Sequence, residues 1–100
     1  MAKGILIAAM DYSDVADDEF NDWYDTEHLP RLRQDPGLLV AARYCAILGT
    51  PRYLALYQLT HSEVVQTDAW RALATTPWTT RMTAFRNNPQ RWVFTALPDR

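Results

Sequence analysis

Three observations predict an α+β fold of the ferredoxin-like kind, with one four-stranded antiparallel sheet and helices on one of its faces. Apolar strand-like segments and amphipathic helical ones follow one another in the order β-α-β-β-α-β, the split βαβ plan. Capping and turn residues fall at the junctions between them. The strand segments lack a polar face, so both sides of the sheet need cover, and a second copy of the chain is the simplest cover for the side without helices.

The first strand is read over Lys3–Asp11, KGILIAAMD, a short isoleucine-rich run. Ser13 and Asp14 can cap the helix that follows, and the acidic residues crowding its first turns suit the positive end of the helix dipole. On a helical wheel Phe20, Trp23, Tyr24 and Glu27 share one face, with His28 at its edge, while Asp22 and Asp25 point away. Pro30 disfavours helical geometry at Leu29 and should break or kink the helix there, with room for a further turn to Gln34. Asp35-Pro36-Gly37 reads as a turn.

Leu38–Leu48 and Tyr53–Leu59 form the predicted central hairpin across Gly49-Thr50-Pro51-Arg52. With a two- or four-residue connection, Leu48 lies opposite Tyr53 and Tyr44 opposite Tyr57. One face then carries Tyr44, Ala46, Leu48, Tyr53, Ala55 and Tyr57. Small residues between large phenols can leave a hollow, and plain core packing satisfies the same pattern. Thr60 or Ser62 starts the next helical stretch, Thr67-Asp68 restarts it, and Thr76-Pro77 starts its last piece. There Trp78, Arg81, Met82 and Phe85 fall on one helical face. Asn87-Asn88-Pro89 reads as a break and Arg91–Leu97 as the last strand. No linker or repeat interrupts residues 1–100, so one domain is expected.

Composition narrows the function classes. Ten basic and twelve acidic residues give a net charge of −2, with no basic run, which disfavours nucleic acid and anionic membrane as partners. Cys45 is the single cysteine and, with His28 and His61, shows no metal-ligand spacing. Three glycines leave no phosphate loop, so no nucleotide cofactor is expected. The apolar run Ile5–Met10 is too short for a signal-peptide core or a membrane span, and a cytoplasmic protein is expected.

The segment EFNDWYDTEHLPRLRQDPG, Glu19 to Gly37, resembles the EthD-like group of the dimeric α/β-barrel superfamily, whose first helix carries an aromatic-Tyr-x-x-x-His-Leu-Pro stretch, here Trp23 to Pro30. The ARY of Ala42–Tyr44 and the PRYLALYQL of Pro51–Leu59 extend the likeness over nearly the whole chain. The resemblance implies a barrel-forming homodimer with a ligand cavity between sheet and helices in each subunit. It also implies relatives that include cofactor-free isomerases, cyclases, dehydratases and quinone-forming oxygenases, and haem-handling members.

His28 is the first candidate for chemistry, because an imidazole near neutrality both takes and gives a proton. Its place matches the histidine of the family stretch. A structural histidine bonding a freed carbonyl is the alternative. Tyr24 is the second, as a phenol that stabilises a developing enolate or phenolate. Trp23, Glu27, Tyr44, Tyr57, Trp78, Arg81 and Phe85 are the candidate ligand contacts. Glu27 orients His28 or pairs with an arginine such as Arg43 or Arg81, and Arg81 anchors an anionic group or lies along the surface. No metal and no cofactor is expected. The leading expectation is cofactor-free proton transfer (isomerisation, cyclisation or dehydration) on a hydrophobic aromatic or carbonyl-bearing small molecule. The alternatives are a cofactor-free oxygenase, a binding protein for a hydrophobic ligand or haem, with His28 or His61 as axial ligand, and an accessory subunit whose cavity is filled by side chains.

Overall fold

A computed structural model describes residues 2–13 and 17–98. The elements run β1 (Gly4–Tyr12), α1 (Asp17–Trp23), a π-helical turn (Tyr24–His28), α2 (Leu29–Leu32), β2 (Leu38–Cys45), β3 (Tyr53–Leu59), a 3-10 turn (Ser62–Gln66), α3 (Asp68–Ala74), α4 (Pro77–Thr83) and β4 (Arg86–Thr95). The strands form one antiparallel sheet in the order β2-β3-β1-β4. The fold is therefore α+β and ferredoxin-like, as the element order predicts.

Register decides which side chains meet the helices. Leu6 pairs with Tyr57 and with Val93, Ala8 with Ala55 and Arg91, and Met10 with Tyr53. These residues share the helix-covered face, where Leu6, Tyr53, Ala55, Tyr57 and Leu59 are buried. Phe20, Trp23, Tyr24, Leu29 and Leu32 close over them from the long helical run, and Trp70 and Met82 from α3 and α4. Burying each such large side chain stabilises the fold by about 1.5–3 kcal/mol. Phe20 is the hub of this core, with ring centroids 4.1 Å from Tyr12 and 4.5 Å from Tyr53.

The caps read in the sequence are formed in the second half of the chain. Thr67 Oγ1 accepts from the Trp70 N–H, and Thr76 Oγ1 accepts from the Thr79 N–H with Pro77 in the first turn. The proposed cap at Asp14 lies outside the described residues. The Ser13 N–H donates to the Phe85 carbonyl.

Three expectations need correction. The hairpin connection is longer than predicted: β2 ends at Cys45, which pairs with Tyr53, and Tyr44 pairs with Leu54 instead of Tyr57. The cause is non-local, because the Asp11 carboxylate takes the Arg52 N–H at 2.7 Å and the Arg52 guanidinium reaches Asp17 at 2.8 Å. The shift exchanges faces, so Tyr44 stands on the side of the sheet away from the helices. The last strand begins at Arg86, and Asn87-Asn88-Pro89 lies inside it, with Asn88 at φ 48° near a bulge opposite Ala9–Asp11. The further turn after Pro30 is present as α2, but Pro30 does not push Leu29 out of helical geometry. Leu29 stays helical, at φ −64° and ψ −46°, because the turn before it widens: its N–H donates to the Tyr24 carbonyl, five residues back. Widening removes the α-helical contact between a proline ring and the carbonyl four residues before it.

The other face of the sheet carries Ile5, Ile7, Val40, Tyr44, Leu54, Leu56, Trp92 and Phe94, and among the described residues no helix covers it. Trp92 is 41% exposed, Phe94 50% and Tyr44 57%. No helix of the described residues is long and apolar enough to cross a membrane.

Candidate functional site

Between β1 and β4 on one side and the helices on the other lies a cavity of about 220 Å³. Its floor is the helix-covered sheet face, Leu6, Ala8, Met10 and Tyr57. Tyr12, at the end of β1, closes one end. The long helical run supplies Trp23, Tyr24, His28 and Leu32, and the second helical layer supplies Trp70, Ala74, Thr79 and Thr83. Arg86 and Arg91, both exposed residues of β4, stand at the rim. A cavity of about 150 Å³ admits benzene, so this one is sized for one substituted ring or two fused ones.

The widened turn brings His28 to the wall. On an α-helix, residues five apart diverge by about 140°. Here the His28 ring instead stacks on Trp23, with centroids 4.6 Å apart and an interplanar angle of 24°. Tyr24 meets the same ring edge-on at 4.9 Å. Trp23 is itself held by its Nε1–H, which donates to Thr79 Oγ1 at 3.2 Å. His28 Nδ1 is buried without a hydrogen-bond partner among the described residues. Burial holds the His28 pKa down from 6.5 to about 4, so the ring is neutral at pH 7.

Three phenols surround this imidazole and the cavity floor. The Tyr24 and Tyr57 hydroxyls share a hydrogen bond of 2.6 Å. Burial pushes the Tyr24 pKa up, although the Tyr57 hydrogen bond and Arg43 pull it partly back. Burial raises Tyr57 well above 10, and the Tyr24 hydroxyl adds to the rise. Arg43 lies 4.5 Å over the Tyr24 ring while its guanidinium bonds Asp25 and Asn21 at 2.9 and 2.8 Å. The Tyr12 hydroxyl, like His28 Nδ1, is buried with no partner among the described residues, and burial pushes its pKa up to about 12. Leaving such a group unbonded costs about 1–3 kcal/mol. All three phenols therefore remain protonated near neutral pH, as hydrogen-bond donors.

Of the residues singled out in the sequence, His28, Tyr24, Trp23 and Tyr57 come together at the cavity. The others stand outside it. Glu27 turns to Thr76, whose hydroxyl donates to its carboxylate at 2.9 Å, so it pairs with neither Arg43 nor Arg81. Tyr44 is on the far face of the sheet. On α4, Thr79 and Thr83 face the cavity, while Trp78 packs half-buried against the core. Arg81 points outward to Glu19 with bonds of 3.0 and 3.1 Å, 5.4 Å over the Phe85 ring. Cys45 is exposed, and no cluster of three or more metal-ligating side chains occurs among the described residues. Tyr12, Arg86 and Arg91 were missed by sequence reasoning. Tyr12 continues the every-second-residue pattern of Leu6, Ala8 and Met10, which is the signal that could have found it.

Chemically, the wall offers a neutral imidazole that can accept a proton and a phenol that can donate to an oxygen where negative charge develops. The apolar floor and the tryptophans keep the exchange dry.

The fold and cavity together define the class: a ferredoxin-like α+β chain with a ring-sized pocket under its helices. Solved structures share that architecture. SnoaB, a cofactor-independent oxygenase from Streptomyces nogalater, is 18% identical, with 99% of this chain and 97% of that one aligned at a TM-score of 0.73. An ethyl tert-butyl ether D (EthD) family protein from Bacillus halodurans C-125 is 17% identical over 95% of this chain and 99% of its own, with a TM-score of 0.66. A dimeric ferredoxin-like protein of unknown function from Thermobifida fusca YX is 17% identical over 95% and 92%, with a TM-score of 0.62. At these identities the likeness is one of fold. No protein-family model and no curated protein matches the sequence.

Proposed function

We propose that the chain acts as a cytoplasmic homodimer, its residues 1–100 one domain, binding a small aromatic or carbonyl-bearing molecule in each cavity and moving protons on it without a cofactor. The observation that carries this reading is the neutral His28 imidazole at the wall of a ring-sized cavity, with the unbonded Tyr12 hydroxyl and the Tyr24–Tyr57 pair around it. His28 takes a proton from an acidic C–H or phenolic O–H. A protonated tyrosine bonds the oxygen of the resulting enolate or phenolate. Returning the proton elsewhere on the molecule is an isomerisation, and the same carbanion serves cyclisation or dehydration. The uncovered apolar sheet face supports the dimer, since an exposed patch of that kind marks an association surface.

A second reading, cofactor-free oxygenation, is favoured by the likeness to SnoaB. In this reading dioxygen adds to the deprotonated ring carbon of the ligand, the His28 imidazolium returns its proton to give a hydroperoxide, and loss of water leaves a carbonyl. It uses the same base and the same phenols. Haem is less well supported: at about 220 Å³ the cavity is smaller than the usual range of roughly 300–1,000 Å³ for drug-sized ligands. His61 lies away from it, beside a separate hollow near Gly37 and Val64.

The test needs no knowledge of the natural substrate. β-Tetralone is a two-ring enolisable ketone whose α-hydrogens exchange with deuterium when abstracted. The protein is expected to accelerate that exchange above buffer, and His28→Ala to lower the acceleration by about 100-fold with the fold retained. Equal exchange by the variant removes His28 from its role. Binding of the ketone without acceleration leaves a binding protein only.

A further inference from the structure

The cavity has a charge that the chain as a whole lacks. The sequence carries a net charge of −2, yet among the described residues no Asp or Glu lines the cavity, and two arginines do. Elsewhere five of the six described arginines are engaged, and the sixth, Arg33, does not line the cavity. Arg43, Arg52, Arg71 and Arg81 each pair with a carboxylate at 2.8–3.2 Å. Arg31 donates to the carbonyls of Leu73 and Ala72. Arg86 and Arg91 form no ion pair among the described residues. Register aims both at the site. Arg91 pairs with Ala8, on the helix-covered face, and Arg86 pairs with Tyr12, whose buried hydroxyl has no partner.

Resting on the function proposed above, we infer that Arg86 and Arg91 select an anionic ligand, a one- or two-ring aromatic compound bearing a carboxylate or an equally charged oxygen group. The ring sits over Ala8, beneath Trp23 and His28, and the charged group reaches the β4 rim. A guanidinium suits this task because its planar fork holds a carboxylate through two bonds while its charge stays fixed. The anion also serves the chemistry. A buried imidazole resists becoming a cation, and a negative charge beside it offsets that resistance at the moment the proton arrives.

Naphthoate and naphthamide have the same shape and differ in charge, so they separate charge selection from cavity filling. Binding is followed by quenching of tryptophan fluorescence, at low and at high salt. Naphthoate is expected to bind about tenfold more tightly than naphthamide at low salt, with the gap narrowing as salt screens the rim. In the double variant Arg86→Gln/Arg91→Gln the preference should vanish while naphthamide affinity stays as in the wild type. Both residues are exposed, so the fold tolerates the change. Equal affinities in the wild type, or a preference that survives the double variant, overturn the role of the arginines and leave the cavity standing. A parallel loss of both probes in the variant also overturns it, because the arginines then shape the site and do not select charge. If neither probe binds the wild type, the ligand reading of the cavity falls as well.

Discussion

Lowering the pH from 7 to 5 protonates His28 in the unfolded chain, where its pKa is the ordinary 6.5, but not in the folded chain, where burial holds it at about 4. The unfolded state then binds more protons than the folded one, and stability falls with the pH across that window. It is fully present above about 6.5 and lost as the pH falls toward about 4. The gap between the two values corresponds to about 3 kcal/mol in full, of which roughly 2 kcal/mol is lost by pH 5. Other groups titrate in the same range, so the measurement is a comparison. Urea unfolding of the wild type and of His28→Gln, each at pH 7 and pH 5, isolates the contribution of this ring. The wild type should lose about 2 kcal/mol more than the variant over that interval. If both lose the same amount, the imidazole is not shielded as described, and its assignment as a neutral base at pH 7 goes with it.

Two further outcomes follow from the geometry. Tyr24→Phe or Tyr57→Phe leaves the partner hydroxyl buried and unbonded, so each single change should cost about 1–3 kcal/mol, and the double change should cost less than the sum. Chemical denaturation of the four proteins of that cycle reads the coupling directly, and strict additivity would show that the two hydroxyls do not depend on each other. Trp92→Lys places a charge on the uncovered sheet face, on the edge strand β4, without touching the core, and should weaken the proposed self-association by about 100-fold in sedimentation measurements while leaving the thermal unfolding of the monomer unchanged. Unaltered association would move the dimer contact elsewhere.

Much of this molecule is legible because its signals are local. The order of elements follows from apolar runs and turn residues. Thr67 and Thr76 announce helix starts through hydroxyls that act within three residues. Phe20, Trp23 and Tyr24 show their burial by helical spacing alone. What escapes is set at long range. The register of β2 depends on an aspartate in β1 reaching Arg52, and with it the side of the sheet that Tyr44 occupies. The start of β4 at Arg86 depends on pairing with Tyr12, since Asn87-Asn88-Pro89 by itself reads as a turn. Arg86 and Arg91 therefore remained outside the candidate site, and Arg81, which has the better local credentials, is held by Glu19 across the surface. At Pro30 the proline penalty was read correctly, but the chain meets it by widening the turn upstream.

That widened turn amounts to one residue more than an α-helix of the same length would hold. Deleting a single residue between Tyr24 and His28 would let the segment close to regular α-helix with His28 four residues after Trp23, only about 40° from it around the axis. The imidazole would then keep its place at the wall, whereas closing the turn with every residue retained would carry it about 100° away. An alignment drawn without a gap at this place will match the histidine to the wrong position in a relative whose first helix is uninterrupted.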